Sequence, residues 1–153
     1  MNWPFFRGAE FSDGEIDLIP IRLSPPEKEL GFGQERNWRI TLHGSRQEIG
    51  QLSYRPGESE AIYYFGHIGY HVDPAWRGHR YAEKACRLIR EEILRSGKSS
   101  VIITTDPDNQ ASRKTCKALG CLWESEVPVA KYWQKKYDIS ARKERYIWRV
   151  GEA

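Results

Sequence analysis

Alternating hydrophobic and polar positions predict that much of this chain forms β-strands. In Glu15–Leu23 the alternation slips by one position beside Pro20, which predicts an edge strand with a bulge at the proline. Two runs on either side of a glycine-containing turn, Asn37–His43 and Glu48–Tyr54, predict a β-hairpin. Further strands are predicted by alternation or by β-branched runs at Ala61–Val72, Ser100–Thr105, Cys121–Val129 and Glu144–Val150.

Two segments instead repeat their apolar residues every three or four positions, as amphipathic helices do. The first, Tyr81–Arg95, carries charged pairs four residues apart on its polar side. The second, Gln110–Leu119, follows an Asp-Pro-Asp-Asn sequence that supplies an N-cap and precedes Gly120, a typical helix end. Its predicted apolar face consists of Ala111, Thr115, Ala118 and Leu119.

The order of these elements predicts an α/β domain. The first helix lies between two predicted strands, and such a unit is nearly always a right-handed parallel crossover. Prolines and glycines fill Ser24–Glu35 and leave room for at most one helical turn, around Glu27–Leu30. Lys, Tyr and Trp are frequent between Ala130 and Arg142, which is interpreted as a connection between the last two strands.

Composition excludes several classes of protein. The chain has 153 residues, of which 39% are hydrophobic, and this suits one globular domain. Its formal net charge of +3 indicates a mixed surface, unlike that of a nucleic-acid-binding protein. No membrane-span or signal-peptide pattern is recognised, and the cysteines are odd in number without metal-ligand spacing. We therefore expect a cytoplasmic protein with reduced cysteines and no nucleic-acid or membrane partner.

The segment before the first helix has the composition of a phosphate-binding loop. Arg77, Gly78, His79 and Arg80 precede the helix N-terminus, where unpaired backbone N–H groups and a partial positive charge favour anions. The glycine permits close approach of a ligand. These residues predict a pyrophosphate site, with an ordinary basic loop that caps a helix as the alternative.

Residues Arg77–Ala82 (Arg-Gly-His-Arg-Tyr-Ala) resemble the Arg/Gln-x-x-Gly-x-Gly/Ala motif of the GNAT superfamily of acetyl-CoA-dependent N-acetyltransferases. The first and last positions match, and Arg80 stands where the inner glycine is usual. The sequence Gly69–Gly78 also resembles the branch that acetylates ribosomal-protein N-termini, and Asn109–Ser112 reproduces the family's Asn-x-x-Ser pair. The resemblance implies one GNAT domain over residues 1–153, with a mixed, mostly antiparallel sheet of six to seven strands, a central β-α-β crossover and helices on both faces.

The resemblance also implies how acetyl-CoA, the co-substrate, binds. Backbone N–H groups of residues 78–82 would hold the pyrophosphate, and two arginines would offer positive charge to the phosphates. The pantetheine arm would lie where the central strand and the next one splay apart, and Asn109 would contact the cofactor or simply cap its helix. The implied cofactor-binding residues are Tyr70, His71, Val72, Arg77, Gly78, His79, Arg80, Tyr81, Ala82 and Asn109.

The catalytic base is assigned to His67, which stands where the resembling branch commonly carries a glutamate. An imidazole can accept a proton near neutral pH, so His67 could deprotonate the amine directly or through a water. The alternative is a half-buried strand residue, in which case His71, Glu60 or water alone would serve. His67 and His71 share a strand face, but no further ligand lies at a suitable spacing, so we predict no metal.

The catalytic acid is assigned to Ser112, which lies one turn into its helix and would protonate the leaving thiolate. The tyrosines Tyr132, Tyr137 and Tyr146 remain possible substitutes. Because an amine can attack the thioester directly, the mechanism needs no cysteine nucleophile and no covalent enzyme intermediate.

The predicted activity is transfer of the acetyl group from acetyl-CoA to a primary amine, on a protein N-terminus or a small molecule. The alternative is a non-catalytic acyl-CoA-binding sensor or interaction module. Because Ser24–Glu35 is too short for the two helices that usually wall the acceptor site in the family, a peptide, a polyamine, an aminoglycoside and a small amine all stay open. The expected partners are acetyl-CoA and the acceptor, bound by a monomer or homodimer.

Overall fold

The computed structural model describes residues 8 to 24 and 35 to 152. Short 3-10 turns at Pro74–Trp76 and Val150–Glu152 accompany the regular elements. In chain order the strands and helices are β1 (Phe11–Ser12), β2 (Ile16–Ser24), β3 (Glu35–Leu42), β4 (Glu48–Tyr54), α1 (Glu60–Phe65), β5 (Ile68–Val72), α2 (Tyr81–Leu88), α3 (Arg90–Arg95), β6 (Val101–Thr105), α4 (Gln110–Ala118), β7 (Leu122–Pro128), α5 (Lys131–Tyr137) and β8 (Arg142–Trp148).

The described strands form two antiparallel sheets. The first has the order β1-β2-β3-β4-β5, and the second has the order β6-β8-β7. The α/β class with mostly antiparallel pairing is confirmed, but two sheets replace the single sheet that was predicted. The crossover strands β5 and β6 therefore belong to different sheets. A hydrogen bond from the N–H of His67 to the carbonyl of Ile102 (2.8 Å) links them where both begin.

One apolar core joins the two sheets to the helices. Burial of a large aliphatic side chain stabilises a protein by about 1.5 to 3 kcal/mol, so this shared core fixes the sheets against each other. Its members include Trp38, Ile40 and Leu52 from the first sheet, Ile103 and Trp148 from the second, and Ala85, Ile89 and Ile93 from the helices.

The strands of the first sheet follow the alternation closely. The predicted hairpin is confirmed as β3 and β4, in which Trp38 lies opposite Leu52. The predicted bulge at Pro20 is wrong, because Pro20 pairs in register with Trp38 and the shift falls between Ile21 and Ser24. Strand β1 pairs with only the first part of β2, and the backbone groups of even-numbered β2 residues are directed to that side. Among the described strands, none lies opposite the proline nitrogen, so no ladder hydrogen bond is lost there. The helical turn predicted around Glu27–Leu30 lies outside the described residues.

The predicted long strand Ala61–Val72 is wrong in its first half, which forms helix α1. The hydroxyl of Ser59 accepts a hydrogen bond from the N–H of Ile62 (3.2 Å) and so caps the helix. Gly66 ends it with a φ of +79°, and a non-glycine residue would be strained there. Burial of Ala61, Ile62 and Tyr64 then outweighs the strand preference of the tyrosines.

Two further helical segments differ from the predictions. The helix predicted over Tyr81–Arg95 is divided at Ile89, whose φ of −93° and ψ of 6° separate α2 from α3 while its side chain stays fully buried. The connection after β7 contains an unpredicted helix, α5. Its Trp133 is buried against Tyr64 and Val129 in a second, smaller apolar cluster.

Candidate active site

The loop between β5 and α2 leaves the start of α2 open to a ligand. Gly78 has a φ of +93° and Arg80 a φ of +64°, so the chain turns sharply before the helix. No side chain caps α2, and the first helical N–H to bond back is that of Lys84, to the Arg80 carbonyl (3.1 Å). The N–H groups of the first turn thus have no partner among the described residues, which suits an anion.

The unusual Arg80 adopts the left-handed conformation that a glycine would adopt without steric cost. For another residue this conformation costs about 1 to 2 kcal/mol. The Arg80 guanidinium pairs with the carboxylate of Glu83 (2.7 Å), which Arg87 also binds (3.1 Å). Burial raises the pKa of Glu83, but the hydrogen bonds from Arg87 and Arg80 outweigh burial and lower this pKa below its usual range. The ion pairs therefore neutralise a carboxylate that would otherwise repel phosphate.

Arg77 anchors the loop to the end of β5. Its Nε donates a hydrogen bond to the carbonyl of Val72 (2.9 Å). A groove of about 720 Å³ runs from this loop along the first turn of α2 and one side of α4. Ala111, Thr115 and Ala118 line the groove, and Ala111 is exposed. The predicted apolar face of α4 is therefore wrong in these members, because the buried residues are Ser112 and Cys116 of α4 and its C-cap, Leu119.

Along β5, the backbone N–H and C=O groups of successive residues point alternately to β4 and to the gap between β5 and β6. The N–H of Asp73, directly after β5, bonds to the carbonyl of Ile49 in β4 (2.8 Å). Because such bonds alternate along an antiparallel pair, the backbone of His71 also pairs with β4, while the N–H groups of Tyr70 and Val72 face the gap. Of the three residues predicted to offer free backbone groups, two are therefore available.

A hydrogen-bonded pair of hydroxyls joins β5 to helix α4 beside this gap. The hydroxyls of Tyr70 and Ser112 lie 2.8 Å apart, and the side chain of Asn109 accepts the N–H of Ser112 (3.0 Å) as a helix cap. The predicted N-cap is thus confirmed, and Ser112 is only 9% exposed. Burial raises the pKa of the Tyr70 phenol far above its usual range, so this hydroxyl stays protonated.

A second cavity, of about 390 Å³, lies on the other side of the gap, and its lining is mostly polar. Lys143 pairs with Asp106 there (2.7 Å), and Arg55 pairs with Glu35 (2.8 Å). Burial raises the pKa of Asp106, but hydrogen bonds from Lys143 and Ser140 outweigh it and lower the pKa. None of these residues was singled out in the sequence, because each pair joins segments far apart along the chain.

The groove and the polar cavity share four lining residues, Tyr70, His71, Asn109 and Ser112. The side chain of His71 is more than half exposed and lies 3.6 Å from the carboxylate of Asp73. A molecule in the groove and a second one in the polar cavity would meet beside these four residues.

His67, the predicted base, lies outside both cavities and is 4% exposed. Its Nδ1 accepts the N–H of Ile102 (2.9 Å), and its Nε2 lies 2.8 Å from the carboxylate of Glu58. Burial lowers the pKa of His67 and outweighs the opposing effect of Glu58, so the ring is neutral at neutral pH. The base role stays a prediction, but the geometry leaves neither ring nitrogen directed at a substrate.

The other candidate acids and bases lie away from the gap. The Tyr146 hydroxyl donates to Glu144 (2.9 Å), and Tyr137 stacks on Trp133 with ring centroids 5.3 Å apart. Neither cavity is lined by Tyr132, Tyr137, Tyr146 or Glu60.

The cysteines and histidines form no recognisable metal site. Within the described ranges, no group of three or more His, Cys, Asp and Glu side chains could hold an ion. Cys86, Cys116 and Cys121 are free, and burial raises the pKa of the Cys86 thiol far above its usual range. None of the helices in the described ranges is both long and apolar enough to span a membrane.

Comparison with known proteins gives a family and several similar folds. Residues 15–122 match the sequence profile of the acetyltransferase (GNAT) domain. No curated protein sequence matches the chain significantly. A provisionally named acetyltransferase of known structure is 18% identical, with a TM-score of 0.64 over 98% of this chain and 90% of that one.

Two similar structures carry more specific names. The microcin C7 self-immunity acetyltransferase MccE, in complex with acetyl-CoA and AMP, is 20% identical over 74% of this chain and 59% of its own, with a TM-score of 0.56. The ribosomal-protein-S5-alanine acetyltransferase from Vibrio fischeri is 18% identical over 74% of this chain and 60% of its own, with a TM-score of 0.57. The chain thus spans about three fifths of the length of these two proteins, and the likeness shows a common fold.

Proposed function

This chain belongs to the acetyltransferase (GNAT) family, and we propose that it transfers an acetyl group from acetyl-CoA directly to a primary amine. The observation that carries the proposal is the meeting of the groove and the polar cavity at Tyr70, His71, Asn109 and Ser112. A thioester lying in the groove would present its carbonyl to an amine in the polar cavity at this point.

Acetyl-CoA would bind along the groove, with its pyrophosphate at the backbone N–H groups of residues 78–82. The open start of α2 and the charge of Arg77 support this position. The pantetheine arm would then enter the gap, where the N–H groups of Tyr70 and Val72 are directed. His79, Tyr81 and Ala82 would contribute through the backbone of the same turn.

In the proposed reaction the neutral amine attacks the thioester carbonyl and forms a tetrahedral oxyanion. The N–H of Tyr70 would stabilise this oxyanion. The C–S bond then breaks, and the thiolate takes a proton from Ser112, to which the Tyr70 hydroxyl 2.8 Å away would donate a hydrogen bond. Water then returns a proton to Ser112, and Tyr70 stays protonated throughout. The proton released by the amine would pass to His71, because its imidazole lines both cavities, whereas His67 lies outside them.

The acceptor would be a protein N-terminus or a small amine with few positive charges. The cations of the polar cavity are already paired, Arg55 with Glu35 and Lys143 with Asp106, so the cavity offers little excess negative charge to a polycation. The acetyltransferase from Vibrio fischeri named for the alanine of ribosomal protein S5 supports a protein acceptor. We propose further that residues 1–153 act as one domain in the cytoplasm, as a monomer or homodimer, and the free cysteines agree with a reducing compartment.

Release of CoA thiol in the presence of a panel of amines and N-terminal peptides tests the proposal. We expect thiol and amide to appear in equal amounts with at least one acceptor. The substitution His71→Gln should lower kcat by roughly a hundredfold while leaving acetyl-CoA affinity nearly unchanged. Binding of acetyl-CoA without thiol release from any acceptor would favour the sensor or interaction module instead.

A further inference from the structure

The chain directly before β5 contacts β6 at Gly66 and His67, and the two strands then separate on either side of the gap. The N–H of His67 donates to the carbonyl of Ile102 (2.8 Å), and its ring Nδ1 accepts the N–H of the same residue (2.9 Å). The nearby carbonyls of Phe65 and Gly66 instead accept hydrogen bonds from Arg55, at 3.4 and 3.2 Å. The imidazole therefore takes the place of a backbone carbonyl that would otherwise pair with β6.

The contacts of the ring define its protonation. Because Nδ1 accepts a hydrogen bond from the backbone, the proton of the neutral ring is on Nε2, which donates to the carboxylate of Glu58 (2.8 Å). Lys98 in turn binds Glu58. With both nitrogens engaged and 4% of the residue exposed, His67 has no lone pair left for a substrate proton.

The same junction has no spare room. A Cβ added at Gly66 would lie 2.9 Å from the carbonyl oxygen of Ile102 and 3.1 Å from the nitrogen of Thr104. The two backbones are thus in contact here, and a few residues further on Ile68, Tyr70, Thr104 and Thr105 line the polar cavity. The width of the gap at the reacting atoms depends on how firmly its narrow end is closed.

We propose that His67 is a positioning residue that closes the narrow end of the gap and thereby sets its width for the acyl-pantetheine arm. The proposal rests on the proposed function only for the identity of the ligand. Loss of the bond between Nδ1 and Ile102 lets β6 move away from β5, so acetyl-CoA affinity falls, while the groups that transfer protons stay in place.

Three substitutions separate this role from that of a base. His67→Asn keeps an acceptor, Oδ1, on Cγ where Nδ1 stands, whereas His67→Gln extends toward Glu58 and His67→Leu has no polar atom. Amide hydrogen exchange at Ile102 is measured without ligand, and the Kd of acetyl-CoA by calorimetry. We expect exchange to accelerate and Kd to rise by about tenfold or more in the Gln and Leu variants, and both to stay within about threefold of wild type in the Asn variant.

Two results would contradict the proposed positioning role of His67. Unchanged exchange at Ile102 in the Gln and Leu variants would overturn the proposal, as would an equal loss of about a hundredfold in kcat in all three variants with Kd unchanged, the result for a base. Glu58→Gln retains an acceptor for Nε2 and should leave kcat and its pH profile near those of wild type. If wild-type protein bound no acetyl-CoA, the proposed function would fail, while exchange at Ile102 would still test the junction. If the Leu variant does not fold, the comparison of Asn with Gln suffices.

Discussion

Replacement of Gly66 by alanine should destabilise the protein by two separable effects. The φ of +79° and ψ of 170° place an alanine in a backbone region that is essentially restricted to glycine, which costs about 1 to 3 kcal/mol. In addition, the new methyl group would meet the backbone oxygen of Ile102 at 2.9 Å. Backbone cannot move aside as a flexible side chain does, and overpacking of this kind costs typically about 1 to 3 kcal/mol. We therefore expect a total loss of about 2 to 6 kcal/mol, or roughly 10 °C in Tm.

Gly120 supplies a matched control for this substitution. It follows helix α4 with a φ of +78°, and a Cβ added there would meet nothing within 4 Å. Gly120→Ala should therefore show the conformational cost alone, about 1 to 2 kcal/mol. Any change in the entropy of the unfolded chain is common to both variants and cancels in their difference.

Urea unfolding followed by circular dichroism measures both free energies of unfolding. Gly66→Ala should be the more destabilising of the two, because it adds the contact with β6 and a backbone region essentially restricted to glycine to the strain of a positive φ. Unchanged m-values would show that the folded and unfolded states are comparable. Equal destabilisation in the two variants would refute the inference that β5 and β6 are in backbone contact at this point. Because Gly66 adjoins the narrow end of the gap, we also expect weaker acetyl-CoA binding in Gly66→Ala and not in Gly120→Ala.

Three further predictions concern the ligand, the acid and pH. Acetyl-CoA should raise Tm by mass action, and the double substitution of Arg77 and Arg80 by alanine should remove most of that shift in a thermal melt. Ser112→Ala should lower kcat about tenfold or more in the thiol-release assay while leaving the Kd of acetyl-CoA nearly unchanged. Burial lowers the pKa of His67 in the folded state from 6.5, so the unfolded chain binds more protons at acidic pH. The free energy of unfolding should therefore fall as the pH drops below about 6.5. In urea titrations at pH 7 and pH 5, His67→Asn should reduce this dependence.

The elements that follow from the sequence are those whose signals are local. Helix α4 could be placed from its cap, since Asn109 bonds the N–H of Ser112 three residues later. The hairpin of β3 and β4 could be placed from its period and its turn. Helix α1 could not, because six residues are too few to show a helical period and Tyr-Tyr-Phe favours a strand. Ser59 and Gly66 were its only local signals.

The candidate site likewise combines a local sequence signal with contacts between distant parts of the chain. The loop of residues 77–82 is contiguous, and its composition alone indicates an anion site. The role of His67 depends on Ile102, 35 positions away along the chain, and on Glu58, nine positions before it. A histidine that accepts a backbone N–H cannot be told from a catalytic base by residue type or spacing, because both use the same neutral ring. Only the fold shows which partner lies beside each nitrogen.

The divided sheet offers a strand edge to the long ligand proposed for this fold. Strand β5 is paired on one side with β4, and on its other side the N–H groups of Tyr70 and Val72 face β6 across the gap. An interior strand edge of this kind carries backbone groups that need partners. The amides of a pantetheine arm can supply them, so the ligand would act as the missing neighbour of β5. Since the junction at His67 joins the two sheets at one end of the gap, binding of acetyl-CoA should join them along the rest of its length.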